Sequence, residues 1–216
     1  MNSSTVTMDL MVADLENLRK HLSFEKWIVM GHSFGGMLAA YYATKHPTRI
    51  EKMIFSSSGG IDLELSSYVG DRINSKLKPI QRDSLAYWNN KLSGGDTTYA
   101  ARIGRGRALA PAYSYHKKHY PIIAERLTQG NSRLNQIVWD DLRKIKFDCA
   151  SKLTNFEQKV LILHGKNDIL DLSTSEKIKK TFKNSSLVTL DKCGHYGWLD
   201  RHDQYFLEID KFLNTI

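Results

Sequence analysis

Three side chains in this sequence have the chemistry of acyl transfer: Ser33, Asp168 and His195. A serine hydroxyl is a weak nucleophile at neutral pH, so it needs a base within hydrogen-bonding distance and a third group that orients the base. Each of the three residues directly follows an apolar segment that reads as a buried strand. Because parallel strands bring their carboxyl ends to one edge of a sheet, the sequence predicts that these residues converge there.

The serine lies in the motif Gly-His-Ser-Phe-Gly-Gly at 31–36. The run Trp27–Met30 before it contains β-branched residues and predicts a strand, and the small residues after it predict the start of a helix. A Gly-x-Ser-x-Gly turn between a strand and a helix is typical of a nucleophile elbow, whose serine has a strained backbone. We expect that Gly31 and Gly35 remove steric collisions at this turn.

The elements around these residues alternate between strands and helices. An amphipathic helix is predicted over 7–22, with Glu16 and Arg19 on its solvent side. The segment 56–60, rich in serine and glycine, is expected to form a loop at the edge that holds Ser33. Further strands are predicted at 50–56, 160–164 and 187–190, and further helices at 34–46, 173–182 and 203–213. The last helix is expected to bury Phe206, Leu207, Ile209 and Phe212.

The stretch 66–157 differs from the rest because it has no strand pattern and is broken repeatedly by proline and glycine. It predicts a mostly helical insertion that covers the carboxyl edge of the sheet as a lid. Most of its many aromatic residues are expected to pack a small core within the insertion itself. The chain therefore divides into a first part of the core at 1–65, a lid at 66–157 and a second part of the core at 158–216.

Composition excludes several classes of protein. The 216 residues have a net charge of +8, but the charges are dispersed and accompany no nucleic-acid motif, so nucleic-acid binding ranks last. No apolar run approaches the roughly 18 residues of a membrane span, and the start of the chain lacks a leader pattern, which predicts a soluble, cytoplasmic protein. Neither the two cysteines nor His116 and His119 have the spacing of metal ligands, so no metal or cofactor is expected.

The chain resembles the α/β-hydrolase superfamily through three motifs in the expected order. They are the motif at 31–36, His-Gly-Lys-Asn-Asp at 164–168 and Cys-Gly-His-Tyr-Gly-Trp at 193–198. Within the superfamily, the position of the lid and Tyr-Ala-x-x-His-Pro, which ends at Pro47, look most like the proline iminopeptidase group of serine peptidases. The resemblance implies a partial α/β-hydrolase fold with a mostly parallel sheet.

The same resemblance implies the roles of the site residues. Ser33 would be the nucleophile, His195 the general base and then acid, and Asp168 the carboxylate that orients the imidazole. The backbone N–H of Phe34 would be one oxyanion donor. Asp171 is the nearest competitor for the acidic position. Relatives that are epoxide or haloalkane hydrolases are disfavoured because they have a carboxylate where Ser33 stands.

Members of this superfamily have several strands before the elbow and a second oxyanion donor in the loop after one of them, and neither is found here. We expect the strand at 27–30 to lie at an open sheet edge, so that the chain is a fragment or associates through this edge with itself or a complementing segment. The leading hypothesis is a serine hydrolase for small peptides or esters, similar to proline iminopeptidases. The alternative is a catalytically impaired remnant that serves as a binding module.

Overall fold

A parallel four-stranded sheet forms the centre of the protein in a computed structural model that describes residues 5–214. The strands pair in chain order, and all three pairings are parallel, which confirms the expected parallel sheet. The strands are β1 (Trp27–Ser33), β2 (Ile50–Ser58), β3 (Lys159–Gly165) and β4 (Ser185–Leu190).

Helices connect the strands and cover both faces of the sheet. The α-helices of the described residues are α1 (Met8–His21), α2 (Phe34–Lys45), α3 (Val69–Lys76), α4 (Pro79–Ser93), α5 (Tyr99–Tyr113), α6 (Tyr120–Leu127), α7 (Ser132–Lys144), α8 (Ala150–Leu153), α9 (Leu172–Thr181), α10 (Gly197–Asp200) and α11 (His202–Leu213). Between β2 and β3 the chain forms helices alone, α3 to α8 and two short 3₁₀ turns. The division into domains at 65 and 157 stays a prediction.

The core lies on both sides of the sheet because the side chains of each strand alternate between its faces. Met53 and Phe55 of β2 belong to the larger cluster, which also contains buried residues of α1, α2 and α9. Ile54 faces the other way and packs with residues of α11 such as Tyr205 and Ile209. Two helical layers therefore enclose the sheet and hold the ends of its strands in place.

The helical insertion shares the core of the sheet through some of its aromatic residues, whereas others, such as Tyr87 and Trp88, pack within the insertion as expected. Phe147 is buried in the larger cluster, with its ring 6.1 Å from that of Tyr41 in α2. Tyr68 and Trp139 also pack against this cluster. Because the insertion buries its rings against the central helices, it is attached firmly to the part of the molecule that carries the elbow.

A buried ion pair connects α1 to the start of β1, which corrects the expectation that Glu16 and Arg19 lie on the solvent side. Both side chains are buried, and the Arg19 guanidinium donates to both oxygens of Glu16, at 2.9 and 2.6 Å. Arg19 also donates to the carbonyls of Phe24 and Glu25, and the Tyr42 hydroxyl donates to Glu16. The hydrogen bonds from Arg19 lower the pKa of Glu16 to about 2. The pair therefore fixes the chain where it enters β1.

The sheet ends at β1 within the described residues, since this strand pairs with β2 alone. Ile28 and Met30 point to the face that Ile54 occupies, and 41% and 46% of their surface is exposed. On α11, which covers this face, Phe206 and Leu207 are exposed rather than buried as expected, because the buried side of the helix runs through Tyr205, Ile209 and Phe212. The open edge agrees with the prediction, whereas association through it stays a prediction.

No helix in the part of the chain that the structure describes has both the length and the apolar character needed to cross a bilayer.

Candidate active site

Ser33 ends β1 and occupies the N-cap position of α2 with an unusual backbone. Its φ of 54° and ψ of −121° lie where a residue with a Cβ is strained. Serine at an N-cap normally accepts a hydrogen bond from the first turn of the helix, but here the Ser33 side chain makes no such bond. The strained conformation therefore leaves the hydroxyl free for another partner. Ser33 itself is half-buried.

Close contacts between backbones explain two glycines of the elbow. A Cβ on Gly31 would collide with the carbonyl of Gly35, and a Cβ on Gly36 would collide with the side chain of Ser58. At Gly35 itself a Cβ would meet no atom within 4 Å. The expectation for Gly31 is confirmed, whereas that for Gly35 is wrong, because the tight approach to β2 is made by the next residue.

An irregularity in β2 faces the elbow. The pairing of β1 with β2 shifts between His32 and Ser33, so that Ser33 pairs with Ser58, and Ser57 has a φ of 43°. The loop predicted at 56–60 is therefore wrong in its start: β2 continues through Ser58 with these serines buried, and the chain leaves the strand only at Gly59 and Gly60. Such a bulge locally bends and twists a strand, which matches β2 to the sharp turn of its neighbour.

Asp168 and His195 meet as a buried pair. The Nδ1 of His195 lies 2.8 Å from Oδ1 of Asp168, and the two residues are 2% and 0% exposed. Because a carboxylate can only accept, Nδ1 carries a hydrogen, so in the neutral form of the imidazole the lone pair is on Nε2. Burial alone would raise the pKa of Asp168, but the charge and hydrogen bond of His195 more than compensate, so that its pKa lies well below the ordinary value.

Tight turns hold both residues of this pair. Asp168 follows β3, where its N–H donates to the carbonyl of Gly165 and its Oδ1 accepts from the N–H of Leu170. His195 follows β4, and its N–H donates to the carbonyl of Tyr113 at the end of α5. The helical insertion thus contacts the backbone of the residue that carries the imidazole.

Asp171, the competing carboxylate, has a structural task. It is the N-cap of α9, where its side chain accepts from the N–H of Ser173 at 3.0 Å, and its second oxygen pairs with Arg72 at 2.9 Å. The backbone bond from Ser173 lowers the pKa of this carboxyl. The structure thus brings Asp168 to the imidazole and engages Asp171 elsewhere.

Aromatic rings surround the His195 imidazole. The ring of His32, from the elbow, lies 4.6 Å away, and those of Tyr113 and Tyr196 lie at 5.6 and 5.4 Å. His32 itself packs edge-on against Trp198 at 4.6 Å. Such a wall excludes water and leaves the imidazole in an apolar environment.

His32, which precedes the serine in the elbow, packs directly against the base of the site. Its Nδ1 lies 3.0 Å from the carbonyl of Ser56, which can only accept, so the hydrogen is on Nδ1. Burial, and then the neighbouring His195, lower the pKa of His32 to about 3. His32 is therefore a neutral ring that packs against the imidazole of His195 at an interplanar angle of 52°.

Ser33 and His195 share the carboxyl edge of the sheet, but among residues 5–214 no hydrogen bond joins the serine hydroxyl to the imidazole. The ring of His32, the neighbour of Ser33 in the chain, lies 4.6 Å from the ring of His195. Hydrogen bonds between a nucleophile and its base are often long in the absence of substrate. The lack of this bond therefore does not exclude Ser33 and His195 as nucleophile and base.

The start of α2 offers one donor for a developing oxyanion. Phe34 is the first residue of the helix, and the N–H groups of a first turn have no partner within the helix. The nearby N–H of Gly59 is engaged, because it donates to the carbonyl of Ser33 at 2.9 Å. Gly60 likewise donates to the Ser58 hydroxyl. These two N–H groups are therefore not second oxyanion donors.

Other reactive residues lie apart from this chemistry. Burial raises the pKa of the Cys193 thiol to about 12, which disfavours a thiolate nucleophile beside His195. His164 is buried and pairs through Nδ1 with the Ser175 hydroxyl at 2.9 Å, so its ring is engaged away from Ser33. Within the described residues, no three His, Cys, Asp or Glu side chains are grouped as metal ligands would be.

Tyr113 and His32 are the site residues that sequence reasoning missed. Tyr113 lies in the insertion, 82 residues before His195 in the chain, and no spacing pattern connects the two. For His32, the signal was its place inside the elbow motif, which puts its side chain one residue from the nucleophile. Such a residue must lie near the site, whereas the partner of its ring depends on tertiary packing.

Comparison with known proteins places the chain in context. A family model described as alpha/beta hydrolase fold matches residues 1–201. The Abhydrolase domain-containing protein abhd-5.2 of Caenorhabditis elegans is 25% identical over 202 residues, which are 90% of this chain and 45% of that protein. The proline iminopeptidase of Heyndrickxia coagulans is 25% identical over 232 residues, which span all of this chain and 76% of the relative.

Among solved structures, an alpha/beta fold family hydrolase from Bacillus anthracis superposes with a TM-score of 0.77 at 23% identity. The superposition covers 97% of this chain and 75% of the other. These similarities confirm the resemblance to the superfamily and, through the curated relatives, to the proline iminopeptidase group. The chain spans less than half the length of the Caenorhabditis elegans protein and about three quarters of the other two.

Proposed function

Because the chain belongs to the α/β-hydrolase family, we propose that it is a serine hydrolase that cleaves a peptide or ester carbonyl through an acyl-enzyme on Ser33. The observation that carries this proposal is the buried hydrogen bond between Asp168 and His195, at the edge where Ser33 has its strained backbone. Asp168 fixes the tautomer of the imidazole, and the strained backbone of Ser33 frees its hydroxyl from capping the helix. Together they supply a nucleophile with an oriented base.

Acylation begins when Nε2 of His195 removes the proton of the Ser33 hydroxyl as its oxygen attacks the substrate carbonyl. The carbonyl π electrons move to the oxygen, which becomes an oxyanion facing the N–H of Phe34. Asp168 stabilises the imidazolium through the bond to Nδ1–H. When the tetrahedral intermediate collapses, the bond to the leaving amine or alkoxide breaks, and the imidazolium gives that group its proton.

Deacylation repeats these steps with water as the nucleophile. Nε2 of His195 takes a proton from the water, whose oxygen attacks the acyl carbonyl, and the second tetrahedral intermediate expels Ser33 Oγ. The proton on the imidazolium returns to this oxygen, so the enzyme regains its starting state and the acid is released. The rings around His195 keep other water away from the imidazole during these steps.

The substrate is proposed to be a small peptide with an N-terminal proline or a related ester. The curated relatives named as proline iminopeptidases support the peptide, and the aromatic wall of Tyr113 and Tyr196 suits an apolar ring beside the scissile carbonyl. A free N-terminal ammonium also calls for a carboxylate. The insertion carries Glu125, whose carboxylate accepts from the Tyr99 hydroxyl at 2.6 Å, and Asp140, which pairs with Arg143.

Labelling with a fluorophosphonate tests the proposal. We expect the protein to react covalently at Ser33, and the Ser33→Ala variant to remain unlabelled while its thermal unfolding is unchanged. Turnover of proline p-nitroanilide and of p-nitrophenyl acetate then separates a peptidase from an esterase. A folded wild-type protein that neither reacts with the probe nor hydrolyses either compound would exclude the enzymatic function.

A binding module without catalysis is the second candidate. It is favoured by the lack of a hydrogen bond between Ser33 and His195 in residues 5–214 and by the engaged N–H groups of Gly59 and Gly60. Loss of one oxyanion donor typically lowers turnover by about 10²–10³. The same labelling experiment decides between the two candidates, because a phosphonate reacts with an activated serine even where turnover is slow.

A further inference from the structure

The carboxylate of Asp200, at the end of α10, accepts an unusually large set of hydrogen bonds. Its Oδ1 accepts from the Ser114 hydroxyl at 2.7 Å and from the N–H of His116 at 3.1 Å. Its Oδ2 accepts from the N–H groups of Tyr115 and Gly194, both at 2.8 Å. Asp200 is 6% exposed, so this charge is stabilised by the donors around it.

These donors come from two separate parts of the chain. Ser114, Tyr115 and His116 follow α5 in the helical insertion, whereas Gly194 directly precedes His195. Asp200 therefore connects the insertion with the loop that carries the imidazole. A carboxylate suits this task because its two oxygens can accept all four bonds at once.

Further contacts press the same two segments together. The N–H of His195 donates to the carbonyl of Tyr113 at 2.8 Å. A Cβ on Gly194 would lie 2.5 Å from that carbonyl oxygen and 2.9 Å from the Cα of Ser114, so the two backbones are in direct contact. A shift of the segment 113–116 would therefore carry His195 with it.

We propose that Asp200 is a positioning residue, which sets the imidazole of His195 relative to Ser33 by tying the insertion to the histidine loop. This inference rests on the proposed function as far as turnover is concerned. The same tie holds the ring of Tyr113 at 5.6 Å from the imidazole. Asp200 thus couples the cover of the site to the base within it.

Asp200→Asn is the sharpest test because it preserves the shape of the side chain. The amide has one oxygen, so its NH₂ group must face two of the four donors, and those donors lose their acceptor. Displacement of a catalytic group by about 1 Å can lower turnover on the order of 10²-fold. We therefore expect kcat/KM to fall about 10²-fold, mainly through kcat, and Asp200→Glu to recover part of the loss.

Asp141→Asn is the matched control. Asp141 also accepts a backbone hydrogen bond across the fold, from the N–H of Met8 at 2.8 Å, but it lies in α7 and α1 is its partner. It therefore reports the effect of removing a carboxylate from a tertiary contact. We expect this variant to keep the kcat/KM of the wild type and its pH dependence. In Asp200→Asn we expect kcat to fall with little change in KM, because the imidazole is displaced rather than the groups that bind substrate.

Amide hydrogen exchange supplies a readout that does not depend on activity. We expect Asp200→Asn to speed exchange about tenfold or more at both His195 and the segment 114–116, and Asp141→Asn to leave both unchanged. Unchanged exchange at His195 in Asp200→Asn, or a lower melting temperature with the pH profile and kcat/KM of the wild type, would overturn the positioning role. If Asp200→Asn speeds exchange at both His195 and 114–116 but the phosphonate does not label the wild-type protein, the link through Asp200 is supported and the proposed function is rejected.

Discussion

The two ends of the sheet hold their functional residues in opposite ways. At β3 and β4, the pair of Asp168 and His195 is buried and joined by a hydrogen bond of 2.8 Å to Oδ1 of Asp168, which also accepts from the N–H of Leu170. At β1, Ser33 is half-buried, has a positive φ and makes no side-chain hydrogen bond to cap its helix. One end thus stabilises a charge through bonds, and the other keeps a hydroxyl free through strain.

This difference has a physical cause in each case. A carboxylate and an imidazole are stable in the interior only when they are bonded to each other, so burial and orientation coincide. A strained serine costs about 1–3 kcal/mol, which the surrounding structure must compensate. Here the compensation comes from the packing of α2 on β2 and from the anchoring of β1 by Arg19.

The bonded end should be the more sensitive in catalysis. Asp168→Asn leaves an amide beside His195, which favours the wrong tautomer, so we expect kcat to fall on the order of 10⁴-fold. Asp171→Asn, three residues away, should keep turnover within about twofold and lower stability by less than about 1 kcal/mol, because asparagine caps a helix as well as aspartate and only the partly exposed ion pair with Arg72 is lost. Steady-state kinetics and urea unfolding of both variants measure this contrast. Equal losses of activity in the two would contradict the assignment.

The strained end should be the more sensitive in stability. In Gly31→Ala the new methyl group would meet the backbone of Gly35, so we expect a loss of about 1–3 kcal/mol or more in the free energy of unfolding. Gly35→Ala has open space within the first turn of α2 and should be neutral or stabilise by about 0.5–1 kcal/mol. Urea unfolding compares them. A tolerated alanine at 31 would show that the elbow is looser than the geometry indicates.

His32 should make the site sensitive to acid. Its pKa is lowered to about 3 in the folded protein, against about 6.5 unfolded, so the unfolded chain binds the extra proton between these values. The contribution of His32 to the free energy of unfolding is therefore fully present above pH 6.5, and below that pH it decreases by up to about 1.4 kcal/mol per pH unit. His32→Asn keeps a donor for Ser56 without the titration. Urea unfolding at pH 7 and 5 should show a smaller acid loss in the variant, and equal losses would contradict this origin.

Substitutions at the open edge of β1 should have the smallest effect on the folded chain, because they change its association and not its active site. If the protein associates through β1, the double substitution Ile28→Lys and Met30→Lys should abolish the association, because charge at an edge strand opposes pairing. Lysine at Leu207, exposed on α11, is the control and should leave association unchanged. Size-exclusion chromatography with light scattering at micromolar concentration measures the mass. A wild-type monomer would reject association of this chain with itself.

Local patterns predicted much of this molecule. The strands were recognised because their apolar runs end at glycine or polar residues, and the carboxyl ends of parallel strands must share an edge. The same rule predicted where Ser33, Asp168 and His195 would converge. Asp168 was preferred to Asp171 by the motif, and the structure agrees because only the first residue reaches the imidazole.

Tertiary contacts decided what the sequence pattern left out. Glu16 and Arg19 read as solvent-facing since each is polar, but each supplies the partner that makes burial of the other tolerable. The bulge at Ser57 has no local pattern, because it answers the turn in the neighbouring strand. The links from Asp200 to the segment 114–116 join residues more than 80 positions apart, which no periodicity in the sequence connects.

The most direct test of the central claim is a double-mutant cycle between Ser33→Ala and His195→Ala, with kcat measured for wild type, both single variants and the double variant. If nucleophile and base act as one unit, each single change removes nearly all of the catalysis and the double variant is no slower than either, within about tenfold. Losses that multiply in the double variant would mean that the two residues act independently, and would contradict the account.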